Sequence, residues 1–239
     1  MESGRACLAR RWARGGPGLL AALVLAGSAC APAPAASSEP RSLRELEARV
    51  SAVWPTVQRY RTVERLERLT PEGRWELLAP PVATDYVLPD RKYQRPAEQA
   101  ATPLPEFLVV GPTVYQRVDE AWVAIDPSRI PPDSPLGQSY QQIRTAGLDG
   151  SPFRVPPNVD GKLTPGGSEV LDGRPCRWFY GTASGPAGPV QLRVALEQGR
   201  DLPCGSEAEF NAPYGRARQA IRYFDYNSAI EIDPPTPPT

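Results

Sequence analysis

From residue 74 onward the chain is a succession of short apolar segments separated by proline, glycine and aspartate turn signals, and this punctuation limits what it can fold into. Segments 74–82 and 84–88 are interrupted by Pro80-Pro81 and Pro89, and 106–110 and 113–118 flank Gly111-Pro112. Asp119-Glu120-Ala121 then turns the chain into 122–125. Further on, 168–171 and 176–180 flank Asp172-Gly173. Leu192, Val194 and Leu196 alternate with Gln191, Arg193 and Glu197, and segments 220–226 and 230–232 close the series. A period of two places apolar side chains on one face of a strand, and tight turns join neighbours antiparallel. An antiparallel sheet of eight or more strands is predicted.

Helices are few. Leu43, Leu46, Val50 and Val53 form one stripe over residues 41–54, Ser42 and Glu45 supply a capping box, and Pro55 ends the segment. Over 57–69, Val57, Tyr60, Val63, Leu66 and Leu69 recur every third residue, a pattern that fits neither helix nor strand cleanly. Residues 127–166 are rich in proline and glycine, with one short helical segment around 137–146. Two short helices do not seal a sheet this broad, so the sheet either curls on itself or keeps a concave apolar trough. The fold class is α+β.

The chain contains no histidine, which excludes Ser-His-Asp and Cys-His nucleophilic sites and every His-ligated metal. Carboxylates such as Asp85, Asp90, Asp119 and Glu120 remain for acid–base work, but Asp90, Asp119 and Glu120 stand at turn signals, where acids cap or solvate. No enzyme, cofactor or metal is expected. Lysine plus arginine and aspartate plus glutamate both number 27, without the basic stripe that nucleic acid requires, so no nucleic-acid partner is expected.

Residues 1–29 have the layout of an export signal peptide: arginines between 5 and 14, then the apolar run Leu19-Leu20-Ala21-Ala22-Leu23-Val24-Leu25-Ala26. That run is shorter than the roughly 20 residues a membrane span requires. Gly27-Ser28-Ala29-Cys30 resembles the lipobox of bacterial lipoproteins, which implies acylation of Cys30. The alternative is plain secretion, with cleavage after Ala29 or at the Ala-x-Ala of 31–33. Residues 30–40 are the lipidated cysteine and a proline–alanine tether, 41–234 the folded domain, and 235–239 a proline-rich tail. Cys7 departs with the leader and Cys30 takes lipid. Cys176 and Cys204 then remain as a disulfide in an oxidising compartment, or as two buried thiols.

Several motifs resemble those of one family. Glu106-Phe-Leu-Val-Val-Gly-Pro-Thr-Val-Tyr-Gln-Arg-Val118 followed by Ala121-Trp-Val-Ala-Ile-Asp126 is similar to a hairpin of the LolA-like lipoprotein-carrier superfamily, closest to its LppX/LprG-type lipoproteins. Val87-Leu-Pro-Asp-Arg-Lys92, Glu169-Val-Leu-Asp-Gly-Arg-Pro-Cys176, Leu202-Pro203 and Phe224-Asp-Tyr-Asn-Ser-Ala-Ile-Glu-Ile-Asp-Pro234 follow in the family's order. The resemblance implies a half-barrel: a curved antiparallel sheet covering a hydrophobic cavity, with an N-terminal helix and, in this chain, a short irregular lid. It further implies an exported protein of the cell envelope, anchored to a membrane through its N-terminal acyl group. Such a protein binds, and in some members transfers, a lipid or other hydrophobic small molecule. The alternative is an envelope sensor that contacts a protein partner with the same fold and no transported ligand. Trp75, Leu77, Tyr86, Val109, Tyr115, Trp122, Trp178 and Phe224 are the candidate cavity lining, against ordinary sheet-to-helix packing for each.

Overall fold

In the computed structural model, residues 39–98, 104–148, 150–155, 161–185 and 188–235 are described. The leader, Cys30, tether residues 31–38 and tail residues 236–239 lie outside them. The first helix, α1 (Leu43–Val53), is capped by Ser42, whose hydroxyl accepts from the Glu45 N–H at 3.2 Å. A single 3-10 turn (Trp54–Thr56) carrying Pro55 ends it. The proline that sequence placed as the stop is therefore inside that turn.

The strands are β1 (Arg59–Leu69), β2 (Trp75–Leu77), β3 (Val82–Val87), β4 (Arg91–Pro96), β5 (Phe107–Val110), β6 (Thr113–Val118) and β7 (Ala121–Ala124). After helix α2 (Pro135–Thr145) come β8 (Leu163–Leu171), β9 (Arg174–Gly185), β10 (Gly188–Glu197), β11 (Pro203–Ala212) and β12 (Gly215–Phe224). All belong to one sheet in the order β7-β6-β5-β4-β3-β1-β12-β11-β10-β9-β8, with β2 paired to β1. Every pairing is antiparallel and the sheet does not close. Open sheets of more than about ten strands curl under their own twist.

Residues 57–69, ambiguous by pattern, yield the central strand β1. Strands β4 and β11 carry too many polar residues to stand out by alternation. Segment 230–232, expected as a last strand, is not one: it lies over the sheet as an irregular strap. Asp225 and Asn227 take left-handed φ values of 53° and 57° just before it, turning the chain out of β12. The strap buries Ile230 and Ile232 against Leu108, Tyr93, Tyr115 and Trp122, and Arg91 donates to the Ile232 carbonyl at 2.9 Å.

Facing residues of an antiparallel ladder share a side of the sheet, so register identifies the two faces. One row runs Tyr60, Tyr86, Lys92, Val109 and Val114 across β1, β3, β4, β5 and β6. Both helices pack on that side. Leu43, Leu46 and Val50 of α1 join Tyr60, Phe179, Val194 and Tyr223, and Tyr140 of α2 joins Val109 and Val114. The opposite side carries the strap and, at the other end, the cluster Leu171, Cys176, Trp178, Ala195 and Cys204.

Candidate functional site

The helix-bearing face is broader than its helices. Helix α1 lies toward the end of the sheet where β1 begins and β12 ends: Arg49 approaches Asp201 in the β10–β11 turn at 3.6 Å, and Trp54 meets the Tyr60 ring edge-on at 5.1 Å. Two further cross-strand rows run over the same face, Val82–Glu64–Ile221–Ser206 and Leu66–Gln219–Ala208–Leu192, with Ile221 and Leu192 packed against the α1 cluster. All eight side chains are half-buried, unlike the fully enclosed Leu46 and Val50 of the helix. The polar members of the two rows are Ser206 and the pair in which Gln219 donates to Glu64 at 2.6 Å. That bond satisfies each polar group with the other, which lowers the cost of seating them among aliphatic side chains.

A belt of phenols adjoins this surface. Tyr60 stacks on Tyr86 with ring centres 4.3 Å apart and donates to the Gly147 carbonyl at 2.8 Å. Gly147 has φ of +78°, and a Cβ there would fall 2.5 Å from the Tyr86 ring, so the loop after α2 reaches these rings only with glycine at this position. Desolvation pushes the Tyr86 hydroxyl up to about 12, against the lowering effect of hydrogen bonds from Thr62 and Thr84. Tyr223 is pushed up to about 12 by its burial, with Ser206 as hydrogen-bond partner. Tyr226 also lies well above the ordinary phenol range, by burial and then by the neighbouring Tyr223.

The segment after α2 is tied to both helix and sheet. Buried Lys92 donates to the Ala146 carbonyl at 3.0 Å, placing a cation at the C-terminal end of α2, where the helix dipole favours it. Farther along, the Val155 N–H donates to Glu47 at 3.0 Å and its carbonyl accepts from Arg44 at 2.9 Å. Residues 146–148 and 150–155 thus form irregular cover beside α1, held by these polar contacts and by the packing of Leu148, Phe153 and Val155.

Of the eight side chains expected to line one cavity, only Tyr86 and Val109 lie on the helix-bearing face, and Val109 is beneath α2. Tyr115 and Trp122 are on the other side under the strap, and Trp178 packs with the cysteines. Phe224 pairs with Arg61, and Trp75 and Leu77 of β2 pair with Leu69 and Glu67, again on the opposite side. The eight do not share one face, because both faces of this sheet are partly covered by apolar packing. Leu66, Ile221, Ala208 and Val82 had no place in that set. Leu192 alone stood in a clean alternation, with Val194 and Leu196; the strands of Leu66 and Ala208 show none.

Cys176 and Cys204 are bonded to each other, with Cα atoms 6.4 Å apart. Leu196 pairs with Pro203 while Ala195 pairs with Gly205, so Cys204 is the extra residue of a β-bulge, aimed at Cys176 on the helix-free side. The four candidate carboxylates do not converge. Asp85 is held by Arg61 and Arg95 at 3.1 and 2.9 Å, and Asp119 occupies a left-handed turn position. Among the described residues there is no cluster of acids and cysteines able to hold a metal, and no helix long and apolar enough to cross a membrane.

No protein-family model and no curated protein matches this chain. Solved structures do. The chain is similar to LprF from Mycobacterium bovis at 14% identity, over 82% of this chain and 97% of that one, with a TM-score of 0.49. It is also similar to the LolA superfamily protein NE2245 from Nitrosomonas europaea at 10% identity, over 80% of this chain and 96% of that one, with a TM-score of 0.33. The open sheet with its N-terminal helix is the architecture the sequence motifs anticipate.

Proposed function

We propose that this chain is an exported, membrane-anchored lipoprotein that holds, and passes on, a lipid or other hydrophobic ligand against the helix-bearing face. One observation carries the reading: beside α1 the face presents Val82, Leu66, Ile221, Ala208 and Leu192 as half-buried aliphatic side chains, with Glu64 and Gln219 among them bonded to each other. An acyl chain laid there gains about 0.8 kcal/mol per methylene removed from water, so binding needs no charged anchor. Release requires movement, not chemistry. The cover at 150–155 is held by the bonds of Glu47 and Arg44 to Val155 and by the packing of Val155 and Phe153, and its release frees the acyl surface. The Arg-rich leader, the Gly27-Ser28-Ala29-Cys30 motif and the proline–alanine stretch after it support attachment to a membrane through Cys30.

The test uses the full-length protein. Native mass spectrometry should find a co-purifying apolar molecule, and a fluorescent fatty-acyl probe should bind saturably. Leu66→Glu and Leu192→Glu should each weaken probe binding about tenfold or more, because a charge on this surface must be desolvated with the ligand. An unloaded protein that ignores acyl probes, or binding untouched by both substitutions, would remove the reading.

A further inference from the structure

On the helix-free side, a groove of about 530 Å³ crosses β1, β12, β11, β10 and β9. Its floor is made of small residues. The rows Arg65–Ala220–Glu207–Arg193 and Val63–Arg222–Gly205–Ala195–Trp178 put Ala220 in the groove lining and Gly205 diagonally across from it, between Arg222 and Ala195. A Cβ at Gly205 would lie 3.6 Å from both the Arg222 stem and the Trp178 ring, so the glycine opens the floor between them. Arg65, Arg193, Arg218 and Arg222 rise around that floor.

The lining has as many acids as arginines, but most of the acids are engaged within the wall. Glu67 holds Arg218 at 2.7 Å, Glu207 holds Arg193 at 2.8 Å, and Glu169 accepts from the Trp178 indole N–H at 2.9 Å. Asp172 stands at the rim in the β8–β9 turn, with φ of 51°. The donors are not exhausted. Arg222 makes no hydrogen bond or ion pair among the described residues, and the Arg193 Nε is buried without a partner. Arg65 has one long contact, 3.7 Å to Glu98, between side chains that are both more than half exposed.

We propose that this groove is an anion site that takes a phosphate group over the Ala220–Gly205 floor, gripped by Arg65 from β1 and Arg222 from β12. Arg65 faces Ala220 across the β1–β12 ladder and Arg222 lies two residues farther along β12, so the two guanidinium groups approach Ala220 from different directions. They therefore meet different oxygens of a tetrahedral anion, whereas a planar carboxylate satisfies one fork at a time. The phosphate comes either from a free phosphorylated solute or from a phospholipid headgroup. This site lies on the sheet side away from the proposed acyl surface and stands whether or not that surface holds a lipid.

Titrating the full-length protein with inorganic phosphate, followed through the arginine Nε–H signals in NMR, tests the free-solute form. Vesicles of phosphatidylcholine with and without phosphatidylglycerol test the headgroup form, the readout being the extra retention that the anionic lipid causes. Arg222→Gln and Arg65→Gln should each weaken the responding ligand about tenfold, the scale of one lost charge-assisted contact. Arg117→Gln, a guanidinium paired with Glu106 at the far end of the sheet, should leave it unchanged. Ala220→Ile fills the floor without altering charge and should abolish binding, which separates a built site from diffuse surface attraction. Neither probe binding the wild type, or Arg117→Gln weakening binding as much as Arg222→Gln, or Ala220→Ile leaving it intact, would overturn the proposal.

Discussion

Tyr223 is enclosed under α1 with Ser206 as its hydrogen-bond partner, and Tyr86 lies two strands away against Thr62 and Thr84. Burial raises both from 10.0 to about 12, which makes alkali a selective stress on this fold. Below pH 10 both phenols are neutral folded or unfolded, and the stabilisation linked to them is complete. Between 10 and 12 the unfolded chain gives up these protons while the native one retains them, so stability falls as pH rises. Denaturant titrations at successive pH values should show a declining midpoint across that window, with tyrosinate absorbance appearing as structure is lost. Tyr223→Phe should flatten the decline, having no proton to lose there. The Glu64–Gln219 bond, also at this level, joins residues 155 positions apart and leaves no local trace in the sequence.

Helix α1 shows what local signals can and cannot say about an element. Its stripe, cap and stop were all legible, because each depends on residues within one or two turns. Leu46 is wholly enclosed, and Leu46→Ala should cost about 2–5 kcal/mol, read as a lower urea midpoint with an unchanged slope. Val53→Ala, at the half-buried end of the same stripe, should cost less. Strand β1 was obscure for a physical reason. Its triplet of Tyr60, Val63 and Leu66 puts Tyr60 and Leu66 on the helix-bearing side and Val63 on the other, and both sides are partly covered. A two-sided strand does not alternate, so the period-two signal disappears. Segment 230–232 misled in the opposite way. Ile230 and Ile232 do alternate with exposed Glu231, but against a sheet face, without pairing to a strand.

Across the whole molecule, the bond between Cys176 and Cys204 ties β9 to β11 around a separation of 28 residues. Loop-closure entropy makes such a link worth about 3–4 kcal/mol in the chain-entropy account. Adding reductant, or replacing both cysteines by serine, should lower unfolding stability by that amount, with the denaturation midpoint as the measure. Ligand contact should be affected little, because the link lies on the sheet side away from the acyl surface.

Alternation and turn residues, acting over a few positions at a time, were enough to determine a many-stranded antiparallel sheet and one firm helix. They were not enough to say which aromatic joins which face. That was decided by register between strands far apart in the chain, since a slip of one residue moves every side chain of a strand to the other side. The aliphatic surface beside α1 and the arginine groove behind it therefore exist only in the assembled sheet, where β1 and β12 meet across some 160 intervening residues, as in the pairing of Arg61 with Phe224.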